Sequence, residues 1–148
     1  MSNPFDVSRE TTLHVRDHCL CLHAQRAARA LARRFDDAFR PLGLTNGQFS
    51  LMMALNRPEP PPMGSIAAVL AMDRTTLTAA LKPLERRGLV QVKPSLRDRR
   101  RRVMALTPSG RKFLAKAVPV WMETHAEVER RLPAGVAESL RAGLSALS

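Results

Sequence analysis

The side chains best suited to metal or redox chemistry are clustered near the N-terminus. His14, His18 and Cys21 follow one another at spacings of four and three residues, which places them along one face of a helix. Imidazole nitrogen and thiolate sulfur are ligands of zinc and copper, so this face is one candidate metal site. Cys19 and Cys21 are also candidate redox-sensing thiols. A third interpretation, which we prefer, treats both cysteines as small apolar residues at a helical interface.

A disulfide between Cys19 and Cys21 is not expected, because residues two apart point to nearly opposite sides of a helix. The remaining sequence contains no Walker A loop and no GxGxxG, GxSxG or HExxH motif, and its aspartates form no paired constellation. We therefore predict that the chain is not an enzyme and has neither a cofactor nor a resident metal.

Basic side chains are concentrated between Lys82 and Arg102. These 21 residues contain nine Lys or Arg against Glu85 and Asp98, and so carry +7 of the net charge of +11. A patch of this density is typical of surfaces that bind polyanions. It predicts a nucleic-acid partner. The nine residues are Lys82, Arg86, Arg87, Lys93, Arg97, Arg99, Arg100, Arg101 and Arg102.

The first half of the chain is predicted to be helical up to a proline-rich loop. Apolar residues recur at spacings of three and four over residues 13–39, which predicts one long helix. Thr45 and Gln48 form a capping box that starts a second helix. Residues 57–62 contain four prolines and predict an extended loop. The apolar side of the second helix is expected to comprise Phe49, Met52, Met53 and Leu55.

The second half begins with a helix-turn-helix and a basic hairpin. We expect a short helix from Ser65, then a helix over residues 74–87, capped by Asp73 and ended by Gly88. Residues 89–92 and 103–106 have strand character and flank a charged loop. Two further helices, over residues 108–131 and from residue 136, complete the chain. This order predicts a winged helix-turn-helix.

The predicted fold class is mainly α-helical with a small β-hairpin: a winged helix-turn-helix lobe plus a helical dimerisation region. We expect one domain over residues 1–148, in which residues 45–107 form the DNA-binding lobe. The flanking helices, residues 13–40 and 108–148, carry more apolar surface than one small domain buries. They therefore predict a homodimer.

Four segments in order carry a family resemblance: Leu44-Thr-Asn-Gly-Gln-Phe49, the run from Asp73 to Val90, Asp98-Arg-Arg100, and Leu106-Thr-Pro-Ser-Gly110. They resemble, respectively, the LTxxQF segment, the recognition helix with its LExxGLV exit, the DxR wing signature and the LTxxG segment of the MarR family of bacterial regulators. The resemblance extends from about residue 13 to residue 147. It implies a regulator that binds duplex DNA.

The recognition helix is expected to enter the major groove with its first turns. Arg74 suits a bidentate contact with guanine, whereas Leu77, Leu81 and Leu84 face the core. Pro83 is expected to kink the helix. Threonines suit phosphates or thymine methyl groups, although Thr75 and Thr76 can alternatively serve only to cap the helix with Asp73. The predicted DNA contacts of this helix are Arg74, Thr75, Thr76, Thr78 and Lys82.

For the hairpin, the resemblance implies that an arginine at the tip enters the minor groove, where narrow A·T-rich sequence attracts it. It also implies that Asp98 orients neighbouring arginines by ion pairing, with Arg100 as its signature partner. Arg97 and Arg99 are the candidates for the tip. Strand alternation predicts that one of Arg101 and Arg102 points outward and the other against the body.

The resemblance further implies a small aromatic or anionic effector, bound between the dimer helices and the DNA-binding lobe. The same side chains can instead be ordinary core. A peroxide-sensing branch of the family places a reactive cysteine in its first helix, but holds it with tyrosines, which this chain lacks. The candidate effector residues are Phe49, Met52, Met53, Trp121, Met122 and His125.

Three functional interpretations follow. The first is a repressor that binds a pseudo-palindromic operator and is released by an effector. The others are a thiol-based regulator using Cys19 and Cys21, and a non-specific architectural nucleic-acid-binding protein. The N-terminal residues lack the order of a signal peptide, and no apolar run is long enough to span a membrane. We expect a cytoplasmic protein with no membrane association.

Overall fold

The computed structural model describes residues 6–148. The prediction that the N-terminal residues do not form a signal peptide rests mainly on residues 1–5, which lie outside this range. Among the described helices, none combines the length and the apolar character needed to cross a bilayer. The elements are α1 (Arg9–His18), α2 (Leu20–Phe39), a 3-10 turn (Arg40–Leu42), α3 (Asn46–Leu55), α4 (Met63–Leu70), α5 (Arg74–Arg86), β1 (Val90–Pro94), β2 (Arg102–Leu106), α6 (Pro108–Arg130) and α7 (Val136–Ala146).

The described residues divide into two compact units, residues 6–34 and residues 35–148, with the boundary inside α2. The second unit contains one hydrophobic core to which α3, α4, α5, α6 and both strands contribute. Its largest fully buried side chains are Phe39, Leu51, Met52, Ile66, Leu77, Leu81, Leu84 and Met104. The helix-turn-helix and the hairpin therefore share a single core, and the predicted winged helix-turn-helix fold is confirmed.

Local signals set several helix ends as expected. The Thr45 side chain accepts from the Gln48 N–H (3.2 Å), and the Gln48 side chain accepts from the Thr45 N–H (3.0 Å), which completes the capping box. Gly88 adopts φ +70° directly after α5, the left-handed conformation that glycine tolerates best. α5 runs through Pro83 to Arg86, and α6 runs through Pro119 to Arg130.

The hairpin, which we call the wing, consists of β1, β2 and the loop of residues 95–101. The strands pair antiparallel from Val90 opposite Leu106 to Pro94 opposite Arg102. The proline-rich loop braces this pair, because Pro62 forms a bridge with Val103 and Pro61 accepts from the Met104 N–H (3.2 Å). A segment predicted only as a loop thus pairs with the outer edge of β2.

Gly110 allows α6 to start against the base of the wing. A Cβ atom at this position would lie 2.0 Å from the Leu89 carbonyl oxygen. The Thr107 side chain caps α6 by accepting from the Gly110 N–H (3.0 Å), and the Thr107 hydroxyl donates to the Gly88 carbonyl (2.5 Å). The close approach gives a physical reason for glycine in the Leu106–Gly110 segment.

The prediction of one helix over residues 13–39 is wrong, because the chain breaks at Cys19 (φ −68°, ψ 108°). The Cys19 N–H still donates to the Val15 carbonyl, and its own carbonyl accepts from the His23 N–H. Its thiol accepts from the Leu22 N–H (3.4 Å), as a helix cap does. The break therefore leaves both flanking helices with most of their hydrogen bonds.

Two smaller predictions are also wrong. α4 begins at Met63 rather than at Ser65, because Pro62 has an extended backbone and occupies the N-cap position. Met53 was assigned to the apolar side of α3, yet 42% of it is exposed, whereas Leu51 is buried in its place. Leu51, Met52 and Leu55 are among the side chains that α3 buries in the core.

Candidate nucleic-acid interface

The recognition helix α5 is anchored in the core by its buried leucines. Leu77, Leu81 and Leu84 are essentially fully buried, as predicted. They occupy one side of the helix, so the other side lies at the surface. That side contains the predicted contact residues Arg74, Thr75, Thr76, Thr78 and Lys82, all of them exposed.

Asp73 caps the recognition helix. Its carboxylate accepts from the Thr76 N–H (2.7 Å) and from the Thr76 hydroxyl (3.0 Å). These hydrogen bonds hold the pKa of Asp73 below its ordinary value. The turn before it contains Ala71 at φ +51°, the one non-glycine residue with positive φ among residues 6–148. A tight turn and a charged cap thus orient the first turn of α5.

The threonine hydroxyls of α5 are partly used within the helix. The Thr76 hydroxyl donates to Asp73, and the Thr78 hydroxyl donates to the Arg74 carbonyl (2.8 Å). Thr76 therefore has the capping role that was the alternative interpretation for it. Its exposed methyl group, and that of Thr78, remain available for an apolar contact such as a thymine methyl. Arg74 is the longest donor in the first turn.

The loop of the wing is held by hydrogen bonds within itself. The Ser95 N–H donates to the Arg101 carbonyl (2.8 Å) and closes the base of the loop. The Ser95 hydroxyl oxygen accepts from the Arg97 N–H (3.2 Å), and the Asp98 carboxylate accepts from the Arg100 N–H (3.0 Å). Two side chains thereby fix the path of the tip.

Asp98 orients a different arginine from the ones expected. Its carboxylate lies 3.8 Å from the Nε atom of Arg101, and its contact with Arg100 is through the backbone N–H. The sequence interpretation overlooked Arg101, although the i, i+3 spacing in a tight turn is a usable signal. Both Arg101 and Arg102 are exposed, so neither packs against the body as strand alternation predicted. Arg102 pairs with Pro94 at the end of the two strands nearest the loop, where the hairpin extends beyond the hydrophobic core.

Arg87 is an exposed residue of the basic run whose guanidinium is also held by neighbouring elements. Its guanidinium donates to the Gly43 carbonyl (2.7 Å) and lies 4.9 Å from the centre of the Phe113 ring. The end of the recognition helix is thereby tied both to the turn before α3 and to α6. The other basic residues of the 82–102 run are exposed.

Two of the candidate effector residues lie in the core. Met52 is fully buried, and Phe49 stacks between Phe39 (4.9 Å between ring centres) and Trp121 (6.4 Å). The His125 ring stacks on Trp121, with 4.6 Å between ring centres. Met53 and Met122 are exposed, the latter by 60%. An effector site built on these six residues remains a prediction.

The N-terminal cluster does not form the metal site considered above. Among the described residues, no three His, Cys, Asp or Glu side chains come together in a way that could hold a metal ion. The break at Cys19 interrupts the helical phase between His18 and Cys21, and the rings of His14 and His18 stack on each other at 4.3 Å. The Cys21 thiol instead accepts from the Gln25 side chain (3.2 Å).

A helix-turn-helix whose second helix leads directly into a braced basic hairpin defines the winged helix-turn-helix class of DNA-binding domains. A model of the MarR family matches residues 44–101. The transcriptional regulator HosA of Escherichia coli is 36% identical over 93 residues, which cover 62% of this chain and 67% of HosA.

BadR, a transcriptional activatory protein of Rhodopseudomonas palustris, is 40% identical over 72 residues, 47% of this chain and 41% of BadR. The alignment thus spans less than half of BadR. The crystal structure of the M. tuberculosis transcriptional regulator MosR in complex with DNA has a TM-score of 0.79 at 38% identity, and the match covers 88% of this chain and 93% of that one. The chain belongs to the MarR family.

Proposed function

We propose that this protein is a homodimeric transcriptional regulator of the cytoplasm, which binds a pseudo-palindromic operator in duplex DNA and represses until an effector releases it. One observation carries the proposal. The exposed first turn of α5 and the cationic wing lie in one compact unit with a common core. A fixed spacing between a base-reading helix and a phosphate-binding hairpin is what sequence-specific binding requires.

The dimer is proposed to form through residues 13–40 and 108–148, with residues 45–107 as the DNA-binding lobe. Leu140 and Leu144 of α7 and Leu147 at its C-terminal cap are each about half exposed or more. Such an apolar stripe is typical of an interface between subunits. A two-fold dimer would place two recognition helices in successive major grooves, roughly 34 Å apart.

The proposal is tested by footprinting the DNA upstream of the protein's own gene. A specific dimer protects a short pseudo-palindrome with sharp boundaries, and deletion of residues 136–148 weakens dimerisation and DNA binding together. Protection without boundaries would favour a non-specific architectural protein instead. A monomer in light scattering that still binds the protected duplex tightly would contradict the dimer.

The effector is proposed to be a small aromatic or anionic molecule. The stacked rings of Phe49, Trp121 and His125 support an aromatic ligand, since flat rings prefer to pack on flat rings. Isothermal titration of the wild type and of a Trp121→Leu variant with a panel of aromatic acids tests this. Binding that is unchanged by the substitution would place the ligand elsewhere.

A thiol switch is a second candidate, favoured by the break at Cys19. The geometric argument against a Cys19–Cys21 disulfide assumes a continuous helix, and Cys19 is extended. We nevertheless expect a Cys19→Ser/Cys21→Ser variant to bind DNA and to respond to effector like the wild type. Release of the wild type from DNA by peroxide, with the double variant left bound, would establish the thiol switch.

A further inference from the structure

Leu96 is the most exposed large apolar side chain among the described residues. Its exposure is 101%, against 72% for Val7, the next highest. It lies in the tip of the wing, next to Arg97. A single exposed leucine needs no explanation in itself, because much of any protein surface is apolar. The conformation and the charge of its surroundings set this one apart.

The backbone on both sides of Leu96 is held in place. The Ser95 N–H is bonded to the Arg101 carbonyl, and the Arg97 N–H is bonded to the Ser95 hydroxyl. The outward position of Leu96 is therefore a feature of an ordered turn. The backbone that carries Leu96 therefore needs little further ordering when the side chain meets a partner.

Cations outnumber carboxylates around Leu96 and restrict the kind of partner that can cover it. The groove that Leu96 lines contains Lys93, Arg97 and Arg101 together with Glu59 and Asp98. An apolar protein surface placed over Leu96 would have to desolvate these charges without pairing them, which is unfavourable. Duplex DNA avoids that conflict: the phosphates that border the minor groove meet the cations, and the deoxyribose walls between them are apolar. The exposed cations of the wing are Lys93, Arg97, Arg99, Arg100, Arg101 and Arg102.

We propose that Leu96 inserts into the minor groove of the operator and packs against the deoxyribose walls, so that the wing reads groove shape through an apolar contact as well as through charge. The inference rests on the proposed DNA binding. The 2-amino group of guanine projects into the minor groove. Leu96 therefore favours A·T pairs at the step that it contacts.

The test uses the full chain and a duplex selected from a randomised pool by the wild type. Leu96→Ala weakens binding about fivefold to tenfold, the effect of removing a largely buried leucine contact. Because no charge is lost, the slope of affinity against salt stays that of the wild type. Arg97→Ala lowers that slope, and Val7→Ala, at the next most exposed apolar position and outside the wing, changes neither quantity.

A second readout locates the contact. Replacement of adenines at the wing step by 2,6-diaminopurine adds an amino group to the minor groove and leaves the major-groove edge largely intact. The wild type loses affinity on this replacement, whereas Leu96→Ala loses most of that sensitivity. Equal thermal transitions of the two proteins confirm that the fold is unchanged.

Several results overturn the proposal. Wild-type affinity of Leu96→Ala, or undiminished sensitivity to diaminopurine, shows that Leu96 makes no contact in the groove. A reduced salt slope shows that it acts by holding the arginines, and a changed oligomeric state shows that it packs against protein. If the wild type selects no duplex, the proposed function fails as well, a result distinct from a failure confined to Leu96→Ala.

Discussion

The recognition helix and the wing present their polar surfaces by different means. Leu77, Leu81 and Leu84 anchor α5 in the core, so the direction of its exposed side follows from burial. The tip of the wing has no such anchor: residues 95–101 are shaped by Ser95, Asp98 and a few backbone hydrogen bonds. Only the base of the wing is braced, by Pro61 and Pro62.

This difference separates stability from binding. A change on the buried side of α5 alters the core that both elements share, and so affects the whole 35–148 unit. A change at the tip of the wing removes local hydrogen bonds or charges and leaves the core as it is. Variants of the two regions are therefore expected to differ in kind as well as in magnitude.

The largest expected effect is on folding. Leu81→Ala removes a fully buried side chain of α5 and is expected to lower the free energy of unfolding by about 3 kcal/mol. Thr78→Ala, at an exposed position on the same helix, is the matched control and changes it by less than about 0.5 kcal/mol. Urea titration followed by circular dichroism measures both. Similar losses in the two variants would show that α5 is not anchored through its leucines.

The next effect separates base reading from phosphate binding. Arg74→Ala is expected to relax preference at particular base pairs by about 2 kcal/mol, because a bidentate contact with guanine is lost. Arg97→Ala weakens binding to all sequences and lowers the salt slope by about one per protomer. A panel of single-base operator variants, titrated at several salt concentrations, distinguishes them. The same pattern from both variants would remove the functional distinction between helix and wing.

Asp98→Ala tests whether the tip needs its local order. Removal of a negative charge favours DNA binding by simple electrostatics, yet we expect weaker binding, by about 1 kcal/mol, because the carboxylate holds the Arg100 N–H and the Arg101 guanidinium. Asp98→Asn, which keeps an acceptor for the Arg100 N–H, is expected to be intermediate. Tighter binding of Asp98→Ala across a salt series would make Asp98 a bystander.

The cap of α5 adds a pH dependence to the stability of the fold. Hydrogen bonds from Thr76 lower the pKa of Asp73 in the folded state. A lowered pKa means that the contribution of Asp73 to stability is complete above its ordinary value of 3.8 and is lost as the pH falls through the lower, folded-state value. Asp73→Asn is expected to flatten this part of the stability profile between pH 5 and 2, as measured by thermal unfolding. An unchanged profile would show that the cap contributes nothing measurable.

The smallest effect concerns the turn before α5. Ala71 adopts a left-handed conformation that an alanine side chain disfavours. Ala71→Gly removes this strain at some cost in the entropy of the unfolded chain, so we expect a net stabilisation of about 0.5 kcal/mol. Ala67→Gly, within α4, is the opposite control and destabilises. A loss of stability in Ala71→Gly would contradict the proposed strain.

Much of the fold could be predicted because its signals are local. The Thr45 and Gln48 capping box, the Asp73 cap and the glycine after α5 each depend on residues within about four positions. The burial of Leu77, Leu81 and Leu84 follows from helical spacing. The family resemblance rests on the same segments, which explains why fold and family could be assigned together.

Other features were decided by partners distant in sequence. The Arg87 guanidinium is tied to the body of the lobe because the Gly43 carbonyl and the Phe113 ring lie within its reach. Pro61 and Pro62 brace the wing because tertiary packing brings a loop to the edge of β2. The break at Cys19 is an exception, because the partner of its thiol, the Leu22 N–H, is only three residues away. Helical periodicity on both sides concealed it.

The sequence by itself therefore determined the order of most helices, the buried leucines of α5 and where the positive charge is concentrated, since each depends on short-range periodicity and composition. Tertiary structure decided which basic side chains are held by other groups of the protein. It placed the guanidinium of Arg101, rather than that of the expected partner Arg100, beside Asp98, and it bonded the Arg87 guanidinium to the Gly43 carbonyl. A long cation can reach several acceptors, and only the folded chain establishes which of them lie within reach.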